Sequence, residues 1–428
     1  MNKPSELLIE MFTNERWETV LKKAEDKGLD RKLIHSLESP EERQKLFVMI
    51  YTDSYNIFPP HIAKIPKDKP GEFREVYINT DRDRIVLSLI NDCLADMFSD
   101  MVHPQCKSYQ SGTSTQKVVK QISNEIIHLD NSHKLHKIGV KSDFSKYFDT
   151  VKIEYIDKAF ETVERKLDFE KGTEPVMNLL RRYYHQDIYF DSEGNLQERY
   201  QSLKQGCAVA SWLANVLLYD LDEYMSNKYA IYYRYSDDCV CIDRDTSHVV
   251  DDMNKIIKPY GVTLNPKKVE DLYSDKWFKF LGFNIKGSMI TLSKNRVKKF
   301  QNEVEKRSIK KKKCSGAQAR KSIIKYLYEG EYCWATSCLG TINVEHDLEE
   351  MNGFIMDCIR ACETGKKKIG GLGSCMDKED YTIVRGRGRH VSTNSKKVVK
   401  IENYLTVKCL STDLKMSKEI FETVVRSL

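Results

Sequence analysis

Apolar positions in the first sixty residues recur at helical spacing. Leu7, Leu8 and Met11 are followed by Trp17, Val20, Leu21 and Ala24, an interval that gathers side chains on one face of an α-helix. Pro59-Pro60 closes this region. From His61 to Ile78, two extended segments flank a polar loop, Lys67-Asp68-Lys69-Pro70-Gly71. Arg82 to Phe98 predicts an amphipathic helix with Ile85, Leu89 and Leu94 on its apolar side. Strand, helix and loop then alternate to about Gly282. Within that stretch Lys137–Asp143 predicts a short strand with Ile138 and Val140 on one face, and Ile231–Tyr235 and Cys239–Ile242 predict two more. Leu213, Leu217 and Leu221 give a core face to the helix that follows Gly206. From Ser293 to about Glu363 the chain reads as basic helices, then as a Lys- and Gly-rich linker from Gly365 to Gly373. The tail has one strand-like part and a closing helix near Ser417–Ser427.

Composition narrows the classes. The 428 residues leave room for two to four subdomains. A hydrophobic content of 40% suffices for real cores, and the mean hydropathy of −0.54 reads as a soluble chain. No apolar run approaches the roughly 20 residues that a membrane span needs, and Met1–Glu10 lacks the pattern of a signal peptide, so a cytoplasmic location is expected. The 12 cysteines lack zinc spacing, and free thiols are expected without secretion. Cys239 and Cys241 fall on a strand beside two acids, where one of them is expected to be buried. Cys358 and Cys362 share a helical face that reads as core packing. The net charge of +6 is unevenly spread: residues 1–60 carry nine Lys/Arg against eleven Asp/Glu, residues 286–313 eleven against two, and residues 365–428 fourteen against seven. A basic surplus in the later part of the chain suits a track along a phosphate backbone.

The candidate chemistry centres on Tyr235-Ser236-Asp237-Asp238, two adjacent carboxylates between two strand-like runs. Asp-Asp at a turn is most often a solvated turn, because Asp favours turns. A third acid changes the odds. Asp143 ends the strand at Lys137–Asp143, and two strands ending side by side bring it beside Asp237. Three carboxylates there would hold two divalent ions about 3.5–4 Å apart, the arrangement that stabilises the attacking and leaving oxygens of a phosphoryl displacement. Hard oxygen ligands suit Mg²⁺. Asp149 reads instead as a helix N-cap or first-turn acid.

Further blocks surround these acids. Pro66 to Arg74 is followed by Ile78-Asn79-Thr80-Asp81-Arg82-Asp83-Arg84-Ile85, then by Ser108-Tyr109-Gln110-Ser111-Gly112-Thr113-Ser114-Thr115, and by Asp143-Phe144-Ser145-Lys146-Tyr147-Phe148-Asp149. Next come Gln205-Gly206-Cys207-Ala208-Val209-Ala210-Ser211, the Tyr235–Asp238 tetrapeptide, Gly261 to Lys268, and Trp277-Phe278-Lys279-Phe280-Leu281-Gly282-Phe283. In this order the blocks resemble reverse transcriptases of the prokaryotic branch related to group II intron proteins, well over about residues 60–285 and loosely over 286–363.

The resemblance implies an α+β right-hand polymerase with an antiparallel palm sheet. Its parts would be a helical N-terminal extension (1–60), fingers (61–136), a palm with finger insertions (137–285), a helical thumb (286–364) and a basic C-terminal extension (365–428). It implies RNA-directed DNA synthesis with two Mg²⁺ ions, Asp143 and Asp237 as direct ligands, Asp238 behind them, and the Phe144 backbone helping to hold nucleotide and metal. Lys69 (or Lys67) and Arg74 would grip the triphosphate, where Arg binds phosphate in a bidentate manner. Arg82 and Arg84 would position a helix or touch RNA backbone. Gln110 stands where the family more often has Arg, over the incoming nucleotide. Phe148 occupies the position of an aromatic steric gate that clashes with a 2′-hydroxyl, which implies dNTP over rNTP; the residue alone reads as core.

Gln205 and Gly206 would form the family's turn that contacts template and nucleotide, although Ala210-Ser211 replaces the usual Ser-Pro. Tyr235 would lie near the primer terminus, and Phe280, Leu281 and Gly282 in the primer grip. Lys268 reads equally as surface charge or as a general acid near the leaving pyrophosphate, the latter if its pKa is lowered. No Cys/His endonuclease module follows the thumb, the Asn-Ala-x-x-His and Val-Thr-Gly marks of retron enzymes are missing, and Gln205-Gly206 replaces the form of diversity-generating enzymes. By exclusion the chain resembles the defence-associated, unknown-group reverse transcriptases, whose partners are a structured noncoding RNA template, the RNA–DNA hybrid and dNTPs, in protection against phage. The sequence sets no oligomeric state. An RNA-dependent RNA polymerase and a non-catalytic RNA-binding or splicing cofactor are the competing readings. Phe148 opposes the first, and the intact acids oppose the second.

Overall fold

A computed structural model describes residues 3–67, 71–129, 137–330, 333–364, 381–384 and 396–399. The chain forms two compact units, one of residues 1–114 and 137–272, the other of residues 115–136 and 273–428.

The first unit opens with four helices, α1 (Glu6–Met11), α2 (Asn14–Asp26), α3 (Arg31–Leu37) and α4 (Pro40–Tyr51). Ser5 caps α1 by accepting from the Leu8 N–H at 3.1 Å, and Pro40 starts α4 where its missing N–H costs nothing. The apolar stripes read from the sequence are buried: Leu7, Leu8, Met11, Trp17, Val20, Leu21 and Ala24 join one core that runs on to Leu264. Strands β1 (His61–Pro66) and β2 (Phe73–Ile78) follow, then α5 (Asp81–Met97). Helix α5 differs from the amphipathic expectation. Val86, Leu87, Ile90 and Cys93 are buried along with Ile85, Leu89 and Leu94, because α1, α2 and α10 (Val209–Val216) all pack against it.

Helix α6 (Thr115–Leu129) belongs to the second unit. The first resumes with β3 (Lys137–Ser145), α7 (Tyr147–Thr150), α8 (Ile153–Lys166), α9 (Pro175–Tyr184), β4 (Ile188–Phe190) and β5 (Leu196–Glu198). After α10 come α11 (Tyr219–Lys228), β6 (Ile231–Tyr235), β7 (Asp238–Ile242), α12 (Val249–Ile257), β8 (Thr263–Leu264) and β9 (Glu270–Tyr273). Leu213, Leu217 and Leu221 are buried as expected, across a break between α10 and α11 rather than along one helix. The central sheet has the order β6-β7-β3-β8, with β9 also pairing β3, and a second sheet has the order β2-β1-β4-β5. Strand β7 pairs with β6 on one side and β3 on the other, so Cys239 and Cys241 are both fully buried, not one of them.

In the second unit, β10 (Phe278–Phe280), β11 (Phe283–Lys286) and β12 (Met289–Leu292) form an antiparallel sheet against α6. Helices α13 (Lys294–Lys306), α14 (Gly316–Tyr328) and α15 (Glu345–Thr364) follow, with Phe300 and Trp334 in ring contact at 4.9 Å. Two short strands, β13 (Tyr381–Val384) and β14 (Lys396–Val399), pair antiparallel where one strand-like part was expected. The linker at Gly365–Gly373 and the closing helix near Ser417–Ser427 lie outside the described residues.

Candidate active site

The acids meet because of strand register. Hairpin β6–β7 pairs Tyr235 with Asp238, leaving Ser236 and Asp237 as a two-residue turn. Ser236 takes φ +60, a left-handed value uncommon outside glycine that such tight turns require. Strand β3 runs antiparallel to β7 with Asp143 directly opposite Asp238, and the Phe144 N–H donates to the Asp237 carbonyl at 3.1 Å. Directly paired residues point to the same face of a sheet, about 5 Å apart at Cβ, and like charges there repel. The repulsion is legible in the protonation behaviour. Burial, then Asp143, raises the Asp237 carboxyl above its ordinary value. Burial, then Asp237 and Asp143, pushes Asp238 up to about 6.

One cation already sits in this cluster. The Lys268 ammonium lies 2.5 Å from the Asp143 carboxylate. Burial works against its charge, but Asp143, Asp237 and Asp238 together raise its pKa. The condition for a general acid tuned to neutral pH is therefore not met in this state, and Lys268 is a fixed positive charge. Among the described residues no group of three His, Cys, Asp or Glu side chains already stands at metal-holding spacing, with Lys268 paired to the Asp143 carboxylate. Two carboxylates and a backbone carbonyl still fit Mg²⁺, which is usually bound through one or two carboxylates together with substrate phosphates. Three crowded carboxyls, two with raised pKa, also gain from any dication.

Asp143 and Asp237 form part of a cleft of about 800 Å³, within the size range of small-molecule sites. Phe144, Phe148, Arg74, Gln205 and Lys268 line it too. Phe148 combines both readings made for it: it is part-buried against the core and faces the cleft. Its ring meets Tyr147 edge-on at 5.6 Å. Lys67, the alternative to Lys69, lines the cleft, whereas Lys69 is outside the described residues.

Other candidates lie elsewhere in the first unit. Gln110 donates through its amide to the Cys106 carbonyl. Gly206 does not line the cleft. Its φ of +112 places a hypothetical Cβ 2.6 Å from the Tyr77 carbonyl, while the Tyr77 N–H donates to Gln205 at 2.7 Å. The close approach that demands glycine is thus to β2. Tyr235 is part-buried, with its pKa raised by burial and then by Tyr109. In the second unit, Phe280 pairs with Phe283 around the turn Leu281-Gly282, at φ +48 and +82, and Arg296 donates to the Leu281 carbonyl at 3.0 Å.

Arg199, Tyr200, Lys64 and Lys146 also line the cleft, and no sequence pattern singled them out. Arg199 donates to the Tyr77 hydroxyl at 2.6 Å and to Glu75 at 3.1 Å. Its signal is hidden, because it depends on β4–β5 joining the β1–β2 sheet. Asp149 lines the cleft as well, and burial raises its pKa.

The sequence matches a family model described as reverse transcriptase (RNA-dependent DNA polymerase) over residues 65–285. No curated protein matches. Similar solved structures include telomerase from Candida albicans in complex with a TWJ fragment of telomeric RNA, at 13% identity, 73% of this chain, 60% of that chain and TM-score 0.42. Apo telomerase from Candida tropicalis gives 14%, 72%, 57% and 0.44. The same apo enzyme truncated from the C-terminal domain gives 16%, 57%, 58% and 0.41. The chain spans less than two thirds of the length of each of these.

Proposed function

We propose that this chain, a member of the reverse transcriptase family, copies a structured noncoding RNA into DNA in the bacterial cytoplasm as part of defence against phage. The observation that carries the polymerase reading is the register that sets Asp143 opposite Asp238 and beside the Asp237 turn, at a cleft with Arg74 and Lys67 in its wall. The template class, the prokaryotic branch and the defence role rest on the motif exclusions in the sequence. Among the described residues no helix is long and apolar enough to cross a membrane.

Reverse transcriptase domains generally use divalent metal ions. In this chain Asp143, Asp237 and the Phe144 backbone would hold two Mg²⁺, with Asp238 supporting Asp237. When bound, such ions lower the pKa of the primer 3′-hydroxyl and neutralise the triphosphate. Arg74 and Lys67 or Lys69 bind phosphate oxygens and align the nucleotide. Phe148 packs against the sugar where a 2′-hydroxyl would project. Gln205 fixes the nucleotide and template side of the cleft. Lys268 holds the acids at rest and swings toward phosphate once nucleotide enters. The Lys/Arg surplus of α13 follows the RNA–DNA hybrid.

The test is to purify the full chain from cells and sequence the RNA and DNA that accompany it, alongside dNTP and rNTP incorporation in Mg²⁺. The expected result is one enriched RNA, complementary DNA, and loss of that DNA and of phage protection in an Asp237→Ala/Asp238→Ala variant. Unchanged protection and DNA in that variant would defeat the catalytic reading. Preferential rNTP incorporation would favour an RNA polymerase.

A further inference from the structure

The acidic turn is gripped from inside the protein by side chains that no part of the cleft uses. Ser236, the residue before Asp237, has both backbone groups held. Its N–H donates to the Ser108 hydroxyl at 3.0 Å, and its carbonyl accepts from the Arg234 guanidinium at 3.3 Å. Ser108 in turn donates to the Asn215 side-chain carbonyl at 2.7 Å, and the Asn215 amide returns a bond to the Ser108 carbonyl at 2.7 Å. Arg234 makes a two-pronged pair with Asp222, at 2.7 and 2.5 Å, and also donates to the carbonyls of Ala214 and Asn215, both at 2.9 Å. Tyr232 completes Asp222 at 3.0 Å. Ser108, Arg234 and Asp222 are fully buried.

This network has an unusual cost. Two charges taken out of water are weak contributors to stability, and an apolar replacement of similar volume often does as well. Stability alone therefore explains the Arg234–Asp222 pair poorly. What an apolar pair cannot supply is a set of directed donors onto Ala214, Asn215 and Ser236. Those donors fix the turn relative to α10, and the turn is under strain at φ +60 with Asp143 set directly opposite Asp238.

We propose that Ser108, Arg234 and Asp222 are positioning residues for the acidic turn, holding Asp237 beside Asp143 so that the two carboxylates bind divalent metal together. This rests on the polymerase reading and deepens it: the Ser108–Thr115 block acts on the metal acids from behind, through its first residue. Outer partners of metal ligands commonly affect affinity or activity by roughly 10–100-fold.

The test compares the full-length wild type with Ser108→Ala, Ser108→Thr (which keeps the hydroxyl) and Ser108→Cys (which keeps volume but accepts poorly). Three quantities are measured: Mn²⁺ affinity by electron paramagnetic resonance, amide exchange of the peptide carrying Ser236, and dTTP incorporation on poly(rA)/oligo(dT). Ser108→Ala is expected to weaken Mn²⁺ binding about tenfold, to speed exchange at Ser236, and to lower kcat with little change in the KM for dTTP. Ser108→Thr should restore all three. If Ser108→Ala does not fold, Ser108→Cys carries the same expectation. Wild-type Mn²⁺ affinity and wild-type exchange in the folded variant would overturn the proposal, as would a fall in melting temperature with neither altered. An inactive wild type with the Mn²⁺ and exchange effects intact would instead overturn the polymerase reading.

Discussion

Replacing Asp238 by asparagine is expected to stabilise the metal-free protein. Asp238 faces Asp143 across the ladder, and burial, Asp237 and Asp143 push its carboxyl up to about 6, against an ordinary value of about 3.9. An acid whose pKa is higher in the fold than in the unfolded chain keeps its proton longer when folded. From about pH 4 to pH 6 the folded chain thus binds more protons, stability falls as pH rises through that window, and the whole penalty is present above it. The displacement corresponds to about 3 kcal/mol at neutral pH, of which partial access of water to the turn leaves roughly 2. An amide of the same shape carries no such charge. Urea denaturation in EDTA should therefore show the variant gaining on wild type between about pH 4.5 and pH 8, reaching roughly 2–3 kcal/mol. Added Mg²⁺ should narrow the gap, since it binds the native wild type and stabilises it. Equal stability of the two proteins at about pH 8 in EDTA would refute the reasoning.

Three more expectations concern the cleft and the turn beside it. Phe148→Ala should raise rNTP use relative to dNTP by about tenfold or more, equivalent to about 1.4 kcal/mol of lost discrimination; unchanged sugar selectivity in single-nucleotide kinetics would make the ring merely core. Gly206→Ala must fit a Cβ at 2.6 Å from the Tyr77 carbonyl with φ +112, and should cost roughly 2–4 kcal/mol in chemical denaturation; a wild-type denaturation midpoint would contradict the close approach. Lys268→Met removes the cation at Asp143, and should lower the Mg²⁺ concentration needed for half-maximal rate while reducing kcat about 100-fold through the positive charge lost beside the phosphates. A Mg²⁺ titration with both quantities unchanged would return Lys268 to ordinary surface charge.

Local patterns carried much of the fold. The stripes of α1 and α2, the strand at Ile138 and Val140, and the hairpin around Ser236-Asp237 depend on neighbours in sequence, and periodicity reports those. That Asp143 lies beside Asp237 was inferred from two strands ending side by side; the ladder register between β3 and β7 that sets it is a tertiary fact. The cleft wall was less legible. Arg199 acquires its place from β4–β5 joining β1 and β2, a pairing across more than a hundred residues that no local pattern encodes. The choice between the two readings of Lys268 was not legible for a related reason, since its charge answers to Asp143, which is 125 positions away. Gly206 was chosen as part of a turn that contacts template and nucleotide, while the surface its backbone closely approaches in the fold is β2.

The hydroxyl of Ser5 caps α1 and also donates to the buried Glu174 at 2.5 Å, while that carboxylate caps α9 through the Met177 N–H at 2.6 Å. One short bond therefore fastens the opening turn of the chain to a helix beginning 170 positions later. A shortened protein trimmed to the catalytic motifs would take the Ser5 hydroxyl from Glu174 and strip the cover from α5, so the leading helices are walls of the building rather than its porch.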